Sequence, residues 1–376
     1  MEEIEITVVG AGKFGTGLSQ ALIRNPWVKR IDIKARRKEI REEINSRHQN
    51  SRYLKGVKLD KKITASPFRF DDIGEKNIVI IAVPSYAQRK VYEEWKAYYR
   101  RQRIIGTSKG IEIRIEGETL KSLMFSHQVA EEKLGEIEYW HLSGPAFADE
   151  IARGKETTNV LASRDFYSAK NLAETLSTKS FKLEPSDDLI GAEFAGPAKN
   201  YIAAAMGRLD DQTPAEVTRA TRFVELILEM IELGGKIGVQ PQTVFGPAYL
   251  GDAFLSISPK SRSYRSGLGL LKRIKERSSQ PTFESPLTLK EWKIAFDFGV
   301  FFKDLEYLLL LEPGLEAENV GPKEKIIEAE VSIYSLYRMS EKFGLRLPRL
   351  KEVFDIYFKR KKESPEEIIK KLLKEV

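Results

Sequence analysis

Apolar and polar residues follow two different patterns along the chain. In the first half, short apolar runs rich in isoleucine and valine are separated by stretches with helical spacing. The clearest runs are Ile4–Val9, Ile31–Lys34, Ile78–Val83 and Arg103–Thr107, and the clearest helical stretches between them are Thr16–Arg24 and Ala87–Tyr99. Alternation of strands and helices predicts a parallel sheet covered by helices on both faces.

The strand pattern stops near Asp187 and Asp188. From there on, apolar residues recur at the period of an amphipathic helix. The stretches with this spacing are Ala192–Leu209, Pro214–Gly234, Lys323–Phe343 and Pro365–Val376. The change of pattern predicts two domains, an α/β domain over 1–187 and an all-α domain over 188–376.

A glycine-rich turn joins the first predicted strand to the first predicted helix. It comprises Gly10, Ala11, Gly12, Lys13, Phe14 and Gly15, a G-x-G-x-x-G arrangement in the strand–turn–helix setting of a dinucleotide-binding loop. The first glycine permits the tight turn, the second lets the backbone approach a pyrophosphate, and the third lets helix and strand pack closely. Free N–H groups at the helix N-terminus then face the phosphates. Residues 1–187 are therefore predicted to form a Rossmann domain that binds NAD or NADP.

The end of the second strand bears on the choice between these cofactors. An acidic residue there would bind the ribose 2′-OH of NAD, whereas arginine accommodates the 2′-phosphate of NADP. Asp32 lies too early, inside the strand, and the tip carries Arg36 and Arg37. NADP is therefore expected at least as much as NAD. The alternative for the two arginines is an ordinary charged helix start, since arginine is common on protein surfaces.

Composition narrows the function classes. The chain has no cysteine, which excludes disulfides and thiolate chemistry, and its three histidines, His48, His127 and His141, share no ligand spacing, so no metal site is expected. The net charge of +7 suits anionic small substrates, whereas no basic run interleaved with aromatic residues indicates nucleic-acid binding. No apolar run is long enough to span a bilayer and no signal peptide is visible, so a cytoplasmic location is expected.

Several short motifs follow one another along the chain. They are Tyr53–Gly56, Ala82–Ser85, Thr107–Glu112, Leu142–Ala148, Glu193 with Lys199 and Asn200, Gly251 with Asp252, Ser261 with Arg262, and Ile326–Glu328. In this order they resemble the bacterial NAD(P)-dependent glycerol-3-phosphate dehydrogenases. The resemblance covers nearly the whole chain except for about 271–322, which looks like an insertion.

The resemblance implies the reversible reduction of dihydroxyacetone phosphate to sn-glycerol 3-phosphate, which supplies glycerophospholipid synthesis. It implies a helical substrate domain similar to the C-terminal domain of 6-phosphogluconate dehydrogenase, and it is compatible with a homodimer. Two alternatives stay open: a dehydrogenase of another small phosphorylated or carboxylated hydroxy compound, and a non-catalytic dinucleotide-binding protein. Fold alone does not decide between them, because the same two-domain plan serves other hydroxyacid dehydrogenases.

The resemblance and the glycine-rich turn together give roles to individual residues. Lys199 is expected to exchange the proton, with Lys109 and Asp252 completing the catalytic set. The expected cofactor contacts are Gly10, Gly12, Lys13, Phe14, Gly15, Arg36, Arg37, Pro84, Lys109, Ala148, Arg262, Ile326 and Glu328. The expected substrate contacts are Lys109, Gly144, Ala146, Lys199, Asn200, Asp252, Ser261, Arg262 and Ser263.

Residue type supports two of these roles independently. Lys199 lies in an apolar helical stretch, where desolvation and the second cation Lys109 would lower its pKa from the free value of about 10.4. Arg262 can bind a phosphate bidentately, and Ser261 adds a hydroxyl. The alternatives are a lysine at a helix edge whose ammonium reaches solvent, and a charged surface loop.

Four residues depart from the family pattern: Lys13, Ala146, Ser263 and Ala329. Ala146 and Ser263 fall in the inferred substrate site, so they bear on the identity of the substrate. The insertion contributes a further expectation, because 283–311 is rich in large apolar side chains that would form a sticky patch in water. One or two extra helices, packed on the C-terminal domain or on a partner subunit, are expected there.

Overall fold

The computed structural model describes residues 3–75, 77–116, 119–212, 214–268, 328–359 and 364–374. The strands within these ranges are β1 (Ile4–Val9), β2 (Val28–Ala35), β3 (Ile63–Pro67), β4 (Ile78–Ile81), β5 (Arg103–Gly106), β6 (Glu112–Glu116), β7 (Thr119–Met124), β8 (Tyr139–Ser143), β9 (Thr157–Ala162) and β10 (Phe181–Ser186). Eight of them form one sheet in the order β10-β9-β8-β5-β4-β1-β2-β3, and β6 and β7 form a separate hairpin.

The large sheet is parallel from β3 to β8, whereas β9 runs antiparallel to β8 and parallel to β10. The order of the parallel strands is that of a Rossmann sheet. The central strand β4, with sequence IVII, is buried at every position, as a parallel strand covered on both faces requires. The predicted α/β Rossmann fold is confirmed.

Six helices are described in this first part of the chain. They are α1 (Lys13–Leu22), α2 (Lys38–Arg47), α3 (Ser85–Trp95), α4 (Ser126–Leu134), α5 (Ala148–Ala152) and α6 (Phe166–Leu176). The stretches Thr16–Arg24 and Ala87–Tyr99, predicted as helices, correspond to α1 and α3. Both helices begin earlier than the apolar spacing indicated, because each starts directly at the turn that follows a buried strand.

The second part of the chain is helical wherever it is described. Its elements are α7 (Leu189–Asp210), α8 (Glu216–Lys236), α9 (Pro241–Phe245), a π turn (Pro247–Gly251), α10 (Asp252–Ser256), α11 (Arg262–Gly267), α12 (Glu328–Lys342), α13 (Pro348–Phe354), a second π turn (Asp355–Lys359) and α14 (Pro365–Lys374). The predicted all-α character is confirmed. The expected helices within the insertion at about 271–322 lie outside the described residues, as does the start of the stretch predicted from Lys323.

Helix α7 is the centre of the helical part. It begins because the Asp188 side chain accepts a hydrogen bond of 2.8 Å from the Gly191 N–H, and it follows directly on the last strand, which ends at Ser186. Small residues let its neighbours approach closely, since a Cβ on Gly207 would lie 2.0 Å from the carbonyl oxygen of Tyr264 in α11. Among the described helices, none has both the length and the apolar character needed to cross a membrane.

Candidate active site

The candidate site lies at the carboxyl edge of the parallel strands, where open α/β sheets bind their ligands. The glycine-rich turn follows β1, Pro84 follows β4, Lys109 follows β5 and Gly144 follows β8. Because these strands are parallel, the four segments meet at one edge. Helix α7 lies against that edge, since a Cβ on Gly196 would lie 2.7 Å from the Cα of Lys109.

The glycine-rich turn has the shape of a phosphate cradle. Gly10 has a φ of +122°, and a Cβ there would lie 2.5 Å from the carbonyl oxygen of Ala82. A Cβ on Gly12, by contrast, would meet no atom within 4 Å, and no side chain caps the N-terminus of α1 that follows it. The turn is therefore closed towards the sheet and open towards the ligand side, which fits a dinucleotide pyrophosphate.

Contacts with α5 and with the core of the sheet stabilise this turn on one side. Lys13 forms an ion pair of 3.3 Å with Asp149, and Phe14 packs against the core of the Rossmann sheet. Ala148, at the start of α5, contacts α1, because a Cβ on Gly17 would lie 2.5 Å from its carbonyl oxygen. Ala148 and Lys13 thus lie next to the predicted pyrophosphate position.

The tip of β2 presents arginine. Arg36 and Arg37 are exposed there, and the Arg36 guanidinium lies 5.8 Å from the centre of the Phe68 ring. Asp32 cannot reach the tip, since its carboxylate accepts a hydrogen bond of 2.5 Å from Ser66 and pairs at 3.1 Å with the buried Lys34. The strand therefore offers cations, and not a carboxylate, to the ribose of a bound cofactor.

Three ionisable side chains converge between the two parts of the chain. The buried carboxylate of Asp252 accepts a hydrogen bond from the Lys109 ammonium, and its other oxygen lies 3.9 Å from the Nζ of Lys199. Lys199 donates a hydrogen bond of 3.0 Å to the hydroxyl of Ser256, and Lys109 donates one of 3.4 Å to the carbonyl of Gly144. The predicted catalytic residues Lys199, Lys109 and Asp252 are thus brought together.

The Lys199 side chain is only 12% exposed, and burial lowers its pKa to about 8. This value is the net result: burial is the largest cause, the charges of Lys109 and Arg262 act in the same direction, and those of Asp252 and Glu328 oppose the shift. An amine with a pKa near 8 can both give and take a proton near neutral pH, which an ordinary lysine cannot do efficiently.

Asn200, Ser261 and Ser263 are buried and bonded within the protein. Asn200 donates a hydrogen bond of 3.1 Å to the carbonyl of Lys109 and accepts one of 3.0 Å from the Ser263 hydroxyl. The Ser261 hydroxyl caps α11 by accepting a bond of 3.5 Å from the Tyr264 N–H. These three residues border the site, and their predicted contact with substrate stays a prediction.

A crevice beside Lys109 brings in a further predicted residue, Glu328. Its lining comprises Ser85, Tyr86, Ser108, Lys109, Gly110, Glu328 and Val331. Glu328, at the start of α12, pairs at 3.3 Å with Arg262 at the start of α11. Pro84 precedes α3 beside this crevice, Ala146 packs against the Rossmann core, and Ile326 lies outside the described residues.

The sequence predictions of site residues missed Ser256, Ser108 and four further residues that line the crevice, Ser85, Tyr86, Gly110 and Val331. Ser256 lies one helical turn after Asp252, on the same face of α10, and this i, i+4 spacing was the available signal. Ser108 is buried at the crevice, and its hydroxyl has no hydrogen-bond partner in the part of the chain that is described. No metal site is indicated, because no group of three or more potential ligands forms among the described residues.

Comparison with known proteins agrees with this geometry. Residues 5–169 match the model described as the NAD-dependent glycerol-3-phosphate dehydrogenase N-terminus, and residues 188–295 match the model of its C-terminus. Glycerol-3-phosphate dehydrogenase (NAD(P)+) from Carboxydothermus hydrogenoformans is 34% identical over 271 residues, which are 71% of this chain and 78% of that protein. The protein of the same name from Acinetobacter baylyi is 31% identical over 268 residues, 71% of this chain and 72% of that one.

A solved structure extends the comparison to the fold. Glycerol-3-phosphate dehydrogenase from Coxiella burnetii superposes with a TM-score of 0.73 at 24% identity, and the match covers 99% of both chains. The likeness in fold therefore spans both the sheet and the helical part. The two family models and the relatives above 30% identity mean that this chain belongs to the NAD-dependent glycerol-3-phosphate dehydrogenase family.

Proposed function

We propose that Lys199 exchanges the proton in the reversible NAD(P)H-dependent reduction of dihydroxyacetone phosphate to sn-glycerol 3-phosphate. The observation that carries this role is the position of its ammonium, which is buried beside Asp252 and Ser256 at the edge where the cofactor cradle opens. A pKa of about 8 makes Lys199 both a competent acid for the reduction and a competent base for the oxidation.

The charged groups around Lys199 have separate roles in the proposed reaction. NAD(P)H, when bound, supplies the hydride. The Lys199 ammonium donates its proton to the oxygen of the substrate carbonyl, and Lys109 adds a fixed positive charge that stabilises the negative charge developing there. Asp252 touches both ammonium groups and orients them. Arg262 is the proposed phosphate ligand, because a guanidinium can bind two phosphate oxygens at once.

The residues of the Rossmann part fit the cofactor. Gly10, Gly12 and Gly15 shape the cradle, and the N-terminus of α1 offers N–H groups to the pyrophosphate. Arg36 and Arg37 are the proposed ligands of the 2′-phosphate of NADP. The arrangement leaves NAD as a second cofactor, since nothing at the β2 tip closes the site to a ribose without phosphate.

Further parts of the proposal concern the whole chain. Residues 1–187 are the proposed cofactor domain and 188–376 the proposed substrate domain, a division supported by the end of β10 at Ser186 and the start of α7 at Leu189. A cytoplasmic location, a homodimer and a role in supplying glycerophospholipid synthesis belong to the same proposal.

The direct test is steady-state oxidation of NADPH and NADH with dihydroxyacetone phosphate. Turnover that saturates with this substrate supports the proposal. Turnover with another small phosphorylated or carboxylated ketone, and none with dihydroxyacetone phosphate, would move the assignment to that substrate. Binding of NADPH without turnover of any of them would indicate a non-catalytic dinucleotide-binding protein.

A further inference from the structure

A second buried ionic cluster lies between the two parts of the chain, away from Asp252. Glu193, in the second turn of α7, is 2% exposed. One of its carboxylate oxygens accepts a hydrogen bond of 2.9 Å from the backbone N–H of His127, and the other lies 2.5 Å from the Nδ1 of the same histidine. His127 is the second residue of α4, so Glu193 caps the N-terminus of a helix in the other part of the chain.

The carboxylate is enclosed on every side. The titratable and charged groups that face it are Tyr92 of α3, His127 of α4, Tyr139 and His141 of β8, and Arg164 before α6. The Nδ1 of His141 lies 3.6 Å from Glu193, and burial lowers the pKa of His141 to about 4, so this ring is neutral at neutral pH. Glu193 is therefore held mainly by His127 and by the end of α4.

Glu193 shares one face of α7 with two residues that contact Lys109. The spacing 193, 196, 200 places all three on a single stripe, because residues three and four apart are neighbours on a helix. Gly196 lies against the Lys109 backbone, and Asn200 donates to the Lys109 carbonyl at 3.1 Å. Along this stripe, helix α7 contacts the Rossmann part through Glu193, Gly196 and Asn200, and Glu193 is the one ionisable residue of the three.

We infer that Glu193 is a positioning residue, whose clasp by His127 fixes α7 on the Rossmann part and thereby sets the depth at which Lys199 is buried. Lys199 directly precedes Asn200, so a rotation of α7 about Lys109 would move the Lys199 ammonium away from Asp252. Such a rotation would hydrate the ammonium and return its pKa towards the ordinary 10.5. The inference rests on the proposed role of Lys199.

The chain offers a matched control in Glu229 of α8. This glutamate is also buried and also caps a helix, since it accepts bonds of 2.5 and 2.8 Å from the N–H groups of Arg349 and Leu350 in α13. It also accepts a hydrogen bond of 3.2 Å from the Tyr201 hydroxyl of α7, so the three helices that it joins, α7, α8 and α13, all lie in the helical part. Glu193→Ala and Glu229→Ala therefore remove the same kind of interaction, but only the first loosens α7 from the Rossmann part.

The experiment follows the pH dependence of glycerol 3-phosphate oxidation in full-length variants. Glu193→Ala is expected to lower kcat/KM by roughly 10- to 100-fold, as for displacement of a reacting group by about 1 Å. It should also move the acidic inflection of the profile upwards. Glu193→Gln keeps an acceptor for the His127 N–H, so its kcat/KM and its inflection should lie between those of Glu193→Ala and of the wild type. Glu229→Ala should lower thermal stability but leave the inflection in place, and equal inflections in Glu193→Ala and Glu229→Ala would overturn the inference.

A second measurement keeps the test independent of turnover. In His127→Ala, amide hydrogen exchange should become faster in residues 191–200 of α7, whereas residues 201–210 should keep their protection. Unchanged exchange in 191–200 would overturn the inference even if Glu193→Ala fails to fold. If the exchange pattern holds but no variant, nor the wild type, turns over dihydroxyacetone phosphate, the positioning role stands and the proposed function fails.

Discussion

Lys199 is held between influences of opposite sign. Burial favours its neutral form, and the nearby cations Lys109 and Arg262 act in the same direction, whereas Asp252 favours the ammonium. Burial and the cations alone would keep Lys199 neutral at neutral pH, and Asp252 alone would keep it protonated. In either case Lys199 could not carry a proton, because one protonation state would be fixed. The balance leaves the pKa at about 8, where the amine can still change its protonation state near neutral pH.

The first prediction removes the amine. Lys199→Ala should lower turnover with dihydroxyacetone phosphate by roughly 10²- to 10⁴-fold, the range expected when a general acid is lost. The affinity for NADPH, measured by fluorescence titration, should stay close to that of the wild type. Lys58→Ala serves as the control, since Lys58 is exposed and bonds a backbone carbonyl, that of Arg47. Turnover of Lys199→Ala within threefold of the wild type would assign proton transfer to another group.

The second prediction concerns the sign of the Asp252 effect. Asp252 raises the pKa of Lys199, so Asp252→Asn should let this pKa fall below about 8. Oxidation of glycerol 3-phosphate needs neutral Lys199, and its rate should therefore rise with pH through an inflection that lies lower in the variant than in the wild type. Asp165→Asn, which alters the N-cap of α6, should leave the inflection unchanged. An upward shift in Asp252→Asn would contradict the assignment.

The ionisable residues of the site could be predicted from the sequence better than the residues that hold them in place. Lys109, Lys199 and Asp252 belong to motifs that can be read locally, and the structure brings them together. Ser256 was missed because its i, i+4 spacing from Asp252 is only a weak signal, and its partner Lys199 lies 57 positions earlier in the chain. The partner of Glu193 could not be foreseen for the same reason, since His127 lies 66 positions away.

Single elements fix the cofactor side of the site. The tip of β2 carries Arg36 and Arg37 because the strand runs to Ala35 and α2 does not begin until Lys38. Within the strand, Lys34 is buried and pairs with Asp32 and Asp72 at 3.1 and 2.6 Å. The acid that could have bound a ribose is thereby neutralised inside the strand, and the tip is left positive.

The third prediction tests this tip. The double variant Arg36→Ala with Arg37→Ala should weaken NADPH binding while NADH binding changes little, because only NADPH carries the 2′-phosphate. A fluorescence titration with both cofactors at constant ionic strength measures the difference. The control for the loss of charge is Arg47→Ala, since Arg47 is an exposed arginine in the last turn of α2. Equal weakening for both cofactors would show that the arginines do not recognise the phosphate.

Strands and helices could be predicted from the sequence where a single strand or helix explains the pattern of apolar residues. The run at β4 is apolar throughout, because both faces of a central parallel strand are covered. The reversed direction of β9 and β10 could not be predicted, since an apolar run does not encode the direction in which it pairs. The hairpin of β6 and β7 was missed because its second strand is only partly buried.

Across the whole molecule, the reaction site and the attachment of the two parts are built from the same contacts. Asp252 bonds Lys109 across the junction, Asn200 bonds the Lys109 carbonyl, and Glu193 bonds His127. Such sharing means that the site cannot be optimised for stability alone. Lys199 is the clearest instance, because its burial favours the proposed proton transfer and opposes the charged state that an unfolded lysine would have.

The last prediction measures how much the burial of the Lys199 ammonium destabilises the folded chain. The pKa of Lys199 is lowered in the folded chain from 10.5 to about 8, so the folded state binds the proton more weakly than the unfolded state does. The destabilisation is complete below pH 8, fades as the pH rises from 8 to 10.5, and is absent above 10.5. Lys199→Met keeps the length of the side chain without the charge, and Lys109 remains to pair with Asp252.

Lys199→Met should therefore abolish turnover and yet raise the free energy of unfolding at pH 7 by roughly 3–4 kcal/mol, at about 1.4 kcal/mol for each unit of the pKa shift. Urea unfolding of the variant and the wild type at several values between pH 7 and pH 10 gives the difference directly. It should shrink as the pH rises, because the wild type loses the buried charge. Lys58→Met, at an exposed position, should show no such trend. A Lys199→Met variant less stable than the wild type at pH 7 would mean that Asp252 compensates the buried ammonium fully, and that the site is not under electrostatic strain.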